Sequence, residues 1–351
     1  MRAFKIASIL FIIAITLYLL IEAKDLLIPL VVATAIFYLI ITLSDFFRRI
    51  RIAGWRPPNW LTLIASAITI LGVLFGCVMI MVGTIERLIR QVPQYQSNLE
   101  SMINPIIQRL PGEQSLTLTA IIQDINTRTL ALDLGQGLSV FLESLVLVTI
   151  YIIFLLLEQP LFSRKLGAFF PDPNGFDRAK SVLAHINESI QTYLILRTLT
   201  SLLKGFLSYI ILLLLHVDFA IFWAFLIFIL NYIPSIGPIT ATVTAALFTL
   251  VQFQDWSVFL IALLSIMGME LAVGHYVEPR LVGRSLNISP LVVLISLTLW
   301  GSIWGIIGMF LCVPIMATII IILAEFPESR PFAIMLSEKG KIDLIKERSA
   351  E

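Results

Sequence analysis

Charge is what this 351-residue chain has least of: Asp, Glu, Lys and Arg make up only 13% of it, against 58% hydrophobic residues and a mean hydropathy of +0.96. Soluble chains carry roughly 25% charged and about 45–50% apolar residues, so the deficit excludes one large soluble core and leaves a multi-span helical bundle. The 24 cations and 23 acids nearly cancel to a net +1 with no basic tract, which removes nucleic acid as a partner. Two Cys and three His are too few for a Cys/His metal cage, and Cys77 and Cys312 sit inside apolar runs, where they read as reduced, buried small hydrophobes. Catalytic signatures are missing too: there is no His-Glu-x-x-His pair, no Gly-x-Ser-x-Gly elbow, and no Asp in any apolar run. His185, His216 and His275 stand alone at span ends, as solvated imidazoles do. A membrane-embedded hydrolase is thereby disfavoured, and no cofactor is implied.

What the chain does have is a succession of long apolar runs, predicting an all-α polytopic membrane protein with about eight helical segments in the bilayer, some of them broken or re-entrant. Residues 6–21 follow Arg2 and Lys5 but lack a cleavage site and are succeeded at once by a second run, 26–43, so they read as a retained first span. Arg48, Arg49, Arg51 and Arg56 face only Asp45 in the next connection, which by the positive-inside rule is cytoplasmic and places the N-terminus there as well. The expected organisation is three spans over 1–84, an extracytoplasmic amphipathic segment over 85–136 punctuated by Pro93, Pro105 and Pro111-Gly112, and a fourth span over 137–157. A cytoplasmic amphipathic segment over 158–193, a core over 194–324 and a cytoplasmic tail over 325–351 complete it.

Two interruptions single out the core. The run 219–251 is broken by Asn231-Tyr-Ile-Pro-Ser-Ile-Gly-Pro238: Pro234 and Pro238 lack backbone donors, and Gly237 reads as a tight-turn glycine needing positive φ. Non-helical backbone survives at membrane depth only where it is buried in protein or lines a watery cavity. Each arm is too short to cross about 30 Å of hydrocarbon, so the run reads as a re-entrant hairpin with Asn231 and Ser235 at its tip. The run 291–323 is interrupted in the same way around Gly301, Ser302, Gly305, Gly308 and Pro314. It is either one strongly tilted span or a second hairpin entering from the cytoplasm; span parity favours the hairpin. The span 194–215 carries Arg197 and Lys204 on nearly one face. Arg197 reads as snorkelling to the interface, whereas Lys204, roughly 15 Å into the span, calls for a partner or a role. Glu270 closes the span 256–273, and Glu278 in the following connection has Arg280 and Arg284 as its nearest cations.

Four motifs in order carry a family resemblance: Asn231-Tyr-Ile-Pro-Ser-Ile-Gly-Pro238, Val277-Glu-Pro-Arg-Leu-Val-Gly283, Ser289-Pro-Leu-Val-Val293 and Gly305-Ile-Ile-Gly-Met-Phe-Leu-Cys-Val-Pro314. With Tyr193-Leu-Ile-Leu-Arg-Thr198 and Leu202-Leu-Lys-Gly205 before them, the chain resembles the autoinducer-2 exporter family of PerM-like permeases over essentially its whole length. The resemblance implies an inner-membrane transporter that assembles as a homo-oligomer, with members linked to export of a quorum-sensing signal and to sodium/proton antiport. It does not choose between those solutes.

The leading expectation is a secondary transporter of a small polar solute, with alternating access through the hairpins; sodium/proton antiport and a passive channel are the alternatives. Its partners are membrane lipid and a small solute or ion. The path residues expected are Lys204, Asn231, Pro234, Ser235, Gly237, Pro238, Glu270, Glu278, Gly301, Ser302, Gly305, Gly308 and Pro314.

Overall fold

In a computed structural model, residues 2–49, 57–107, 127–282 and 287–340 are described. Arg51 and Arg56, the segment 108–126 with its Pro111-Gly112 pair, Gly283, Arg284 and the tail 341–351 lie outside them. The described residues form helices α1 (Arg2–Glu22), α2 (Lys24–Arg49), α3 (Asn59–Ile107), α4 (Thr127–Phe169), α5 (Pro173–Leu214), α6 (Ala220–Leu230), α7 (Ile236–Phe253), α8 (Trp256–Ala272), a π turn (Val273–Val277), α9 (Glu278–Val282), α10 (Pro290–Glu325) and α11 (Arg330–Leu336). No strand occurs among the described residues, and seven helices are long and apolar enough to cross a membrane. The all-α, polytopic reading holds.

Several expected boundaries are corrected. Helix α3 runs through Pro93 and Pro105, and α4 through Pro160, without ending. An internal proline removes one hydrogen bond and kinks the helix, and buried Val92 and Tyr95 secure the stretch beyond Thr84 by packing. The amphipathic stretch and the span that follows it are likewise one 42-residue helix, α5.

The chain divides into two compact units. Unit 1 comprises residues 1–66, 144–196 and 284–351. In it α1 and α2 meet at a turn where Ala23 accepts hydrogen bonds from Leu26 and Leu27. Ser44 donates to Thr62 at 2.9 Å, and Gln191 to Thr42 at 2.7 Å.

Helix α10 settles the question left open for 291–323. Gly305 adopts φ 62° and ψ −142°, a conformation open essentially to glycine alone. Ser296 Oγ then donates to the Cys312 carbonyl at 3.2 Å, although sixteen residues of straight helix would hold them about 24 Å apart. The run is a hairpin and not a tilted span. Its tip is fixed by Trp304, whose Nε1 donates to the Leu20 carbonyl at 2.9 Å. A Cβ on Gly308 would stand 1.9 Å from the Trp300 carbonyl oxygen, so the second arm approaches the first as closely as glycine allows.

Unit 2 comprises residues 67–143 and 197–283. Helices α6 and α7 form the other hairpin, and the chain between them, residues 231–235, is the break. Its core brings together Leu212, Val217, Ala220, Ile227, Ala241, Ala245 and Ile266 from α5 to α8, with Trp223 and Phe248 packed on them. Pro238 lies in the first turn of α7, where a missing N–H does no harm, so it does not break the helix as expected. The left-handed position also differs from expectation: Ser235, not Gly237, takes φ 61°. Gly237 serves close approach, since a Cβ there would lie 1.8 Å from the Leu230 carbonyl oxygen. Each hairpin thus combines one positive-φ residue with a glycine two or three positions later that lets the arms touch.

Candidate functional site: a buried charge cluster at a hairpin tip

Within unit 2, α5 presents Arg197, Ser201 and Lys204 at a spacing of four and then three, which places them on one helical face. Gly205 lets α6 approach that face: a Cβ on it would sit 3.1 Å from both the Ala224 carbonyl oxygen and the Phe228 Cβ. The α6–α7 tip is thereby set down on the polar residues of α5.

Asn231 is the first residue of the break and is fully buried. Its Oδ1 accepts from Lys204 Nζ at 3.0 Å, its Nδ2 donates to Ser201 Oγ at 2.8 Å, and its carbonyl accepts from the Arg197 guanidinium. Its own N–H still donates to Ile227, closing the last turn of α6. Next to it, Tyr232 donates to Thr198 at 2.7 Å. The Asn231 carbonyl freed by the break thus finds a side-chain partner, as membrane depth demands.

The same lysine collects two acids. Lys204 Nζ donates to Asn231 and lies 2.9 Å from Glu270 Oε2 and 3.0 Å from Glu278 Oε1, the last an ion-pair contact in which Glu278 Oε1 accepts no hydrogen bond. Glu278 Oε1 is shared with Arg197 Nη1 at 3.6 Å, as an ion-pair contact rather than an aligned hydrogen bond. Two cations and two carboxylates make the cluster neutral. Lys204 is 3% exposed, and the side chains of Glu270 and Glu278 are 10% and 24% exposed. Glu270 Oε1 is buried without a hydrogen-bond partner.

Glu270 and Glu278 are eight positions apart, and in an uninterrupted α-helix that turns them about 80° from each other. The π turn at Val273–Val277 absorbs one extra residue. The separation becomes that of about seven residues, within roughly 20° of one face, and both carboxylates reach one ammonium.

The opposite end of the hairpin is clamped separately. Gln252 accepts from the Asp218 N–H at 2.8 Å and donates to the His216 carbonyl at 3.1 Å. From α3, Asn98 donates to the Val251 carbonyl at 3.1 Å and Tyr95 donates to Asp218 at 2.8 Å. Tyr95 lies about 54 Å along the helix from Asn59, beyond a bilayer core. Its phenol pKa is raised, first by burial and then by the hydrogen bond and charge of Asp218.

Of the expected path residues, Lys204, Asn231, Glu270 and Glu278 converge here. Pro234 is half-buried in the break, and Ser235 is exposed at the tip. Gly301, Ser302, Gly305, Gly308 and Pro314 belong to the hairpin of unit 1. Glu278 pairs with Arg197 and Lys204 instead of Arg280; Arg284 is outside the described residues. Arg197 does not snorkel, because it holds the Asn231 carbonyl. Thr198, Ser201 and Tyr232 were missed; the shared face of 197, 201 and 204 was the available signal. His275 is exposed, with Nδ1 3.0 Å from the Leu271 carbonyl of its own helix. Among the described residues, no three His, Cys, Asp or Glu side chains converge as metal ligands.

An all-helical membrane protein with interrupted helices folded into hairpins and charges buried at the break has the construction of a transporter. The chain belongs to the AI-2E transporter family, whose profile, described as AI-2E family transporter, matches residues 8–328. It is 30% identical to the AI-2 transport protein TqsA of Escherichia coli strain K12, over 91% of each chain. A Borreliella burgdorferi protein with a transport name is 31% identical over 71% of this chain and 68% of its own. The YhhT protein of Escherichia coli strain K12 is 30% identical over 62% of this chain and 58% of its own. The family is one of membrane transporters, and the chain is a multi-pass bacterial membrane protein.

Proposed function

We propose that this protein is a secondary transporter of a small polar solute, working by alternating access in which its helical hairpins carry the path. The observation that supports this reading above others is the Asn231 junction, where a helix break is joined through a single buried residue to a neutral four-charge cluster. Such a junction is costly to build and unnecessary in a scaffold, because a continuous apolar helix would span without it. The free backbone at the tips supplies donors and acceptors for an uncharged solute, and the charge cluster ties tip position to the electrostatics of the core. Autoinducer-2, the solute in the name of TqsA, is the first to test. The reading includes a homo-oligomer in the inner membrane with a cytoplasmic N-terminus. Proton-coupled cation exchange is the second reading, favoured by the convergence of Glu270 and Glu278 on Lys204.

Purified protein in liposomes, offered autoinducer-2, sugars and amino acids under imposed sodium, proton and potassium gradients, tests both. Gradient-driven solute flux lost in Asn231→Ala supports solute transport. Proton-dependent sodium flux lost in Glu270→Gln supports exchange. Solute flux indifferent to every gradient means a passive channel and overturns the secondary-transport reading.

A further inference from the structure

We infer that Glu270 is the proton-accepting member of the cluster and that its protonation loosens the hairpin tip. The inference draws its purpose from the transporter reading, but its test needs no solute. The two carboxylates are not equivalent. Glu278 is shared by two cations, Arg197 and Lys204, so a proton there opposes two ion pairs. Both Oε1 atoms are buried without a hydrogen bond, but that of Glu278 is the atom both cations face, whereas Glu270 has Lys204 alone, on Oε2, and its Oε1 pairs with no cation. A proton taken from water binds Oε1, breaks no hydrogen bond, and leaves Oε2 facing Lys204 as a neutral acceptor. The cluster charge rises from zero to +1.

The consequence reaches Asn231. Once Glu270 is neutral, Lys204 and Arg197 have one carboxylate between them, and those same two cations hold the Asn231 side chain and carbonyl. Repulsion between them is relieved when one moves away and its bond to the tip is lost. The groups facing Glu270 are Arg197 and Lys204 from α5, Glu278 from α9, and Asn231 and Tyr232 from the tip; His275 on the π turn is exposed and bound to its own helix. Of the two cations only Lys204 pairs with Glu270, and Arg197 pairs with Glu278.

The test uses Ile233, 5% exposed in the tip and outside the cluster, with exposed Ser235 as reference. In full-length protein lacking Cys77 and Cys312, reaction of I233C with N-ethylmaleimide is measured relative to S235C, which cancels the thiol's own pH dependence. The ratio is expected to rise roughly tenfold as pH is lowered, the effect of one pKa unit of coupling between the proton and the tip. Glu270→Gln should hold it high and flat, and Glu278→Gln should leave it pH-dependent. A flat ratio in the parent, or a Glu270→Gln variant that follows the parent, overturns the inference. If Glu270→Gln fails to insert, Glu270→Asp replaces it: a shifted midpoint supports the assignment, and an unchanged one overturns it. Flux assays play no part, so failure here leaves the transporter reading standing and failure there leaves this result standing.

Discussion

Replacing Lys204 by Met removes the one group on which Asn231, Glu270 and Glu278 converge, with little change in side-chain shape. Glu270 is left at 10% exposure with no cation, while Glu278 keeps Arg197 at 3.6 Å. Removing one partner of a buried ion pair costs about 3–5 kcal/mol, because the other charge stays desolvated. Since Glu278 retains a partner and is partly solvated, the lower end, about 3 kcal/mol, is expected for Lys204→Met. At roughly 2–4 °C per kcal/mol for a chain of this size class, the melting temperature in detergent should fall by about 6–12 °C. Lys204→Met/Glu270→Gln, which also removes the stranded charge, should recover about half of that loss. Thermal unfolding followed by tryptophan fluorescence measures both. A single variant that melts with the parent, or a double variant no better than the single, would show that Lys204 and Glu270 are not a buried pair.

Gly237→Ala puts a Cβ 1.8 Å from the Leu230 carbonyl oxygen, a backbone atom that cannot rotate aside. Transport should be lost at a stability cost of at least about 1–3 kcal/mol while the protein still inserts; normal flux would remove the tip from the path. Moving the acid one position, as in Val277→Glu/Glu278→Gln, should fail to restore the Lys204 pair, since the π turn leaves position 277 about 100° off the face; a restored melting temperature would mean the segment is plain α-helix. Tyr95→Phe should weaken the base clamp by about 1 kcal/mol. Because that phenol's pKa is raised, the contribution is complete below the ordinary value of about 10 and lost only as pH climbs above it; a loss near neutral pH would refute the assignment. In a background without Cys77 and Cys312, an impermeant thiol reagent should reach S235C from outside and S302C from the cytoplasm; labelling of both from one face would refute hairpins that enter from opposite sides of the membrane.

Composition and local chemistry alone determined that the chain is an all-helical membrane protein and that two of its apolar runs are broken. Both are properties of short stretches: the scarcity of charge is visible residue by residue, and Asn231, Pro234 and Gly305 mark places where a helix cannot continue. The same local view misplaced Pro93, Pro105 and Pro238 as breakers, because a proline ends a helix only where packing does not hold its flanks. It assigned positive φ to Gly237 when Ser235 carries it, since steric need at a turn depends on how closely the arms meet. The charge cluster belongs to the tertiary structure. Lys204 and Glu270 are 66 positions apart, and Glu278 joins them only because a π turn, which leaves no pattern in hydropathy, shifts the register of one helix by a residue. Sequence spacing sets which residues share a face of one helix; which faces meet is decided by the folded hairpin and by the glycines that let it close.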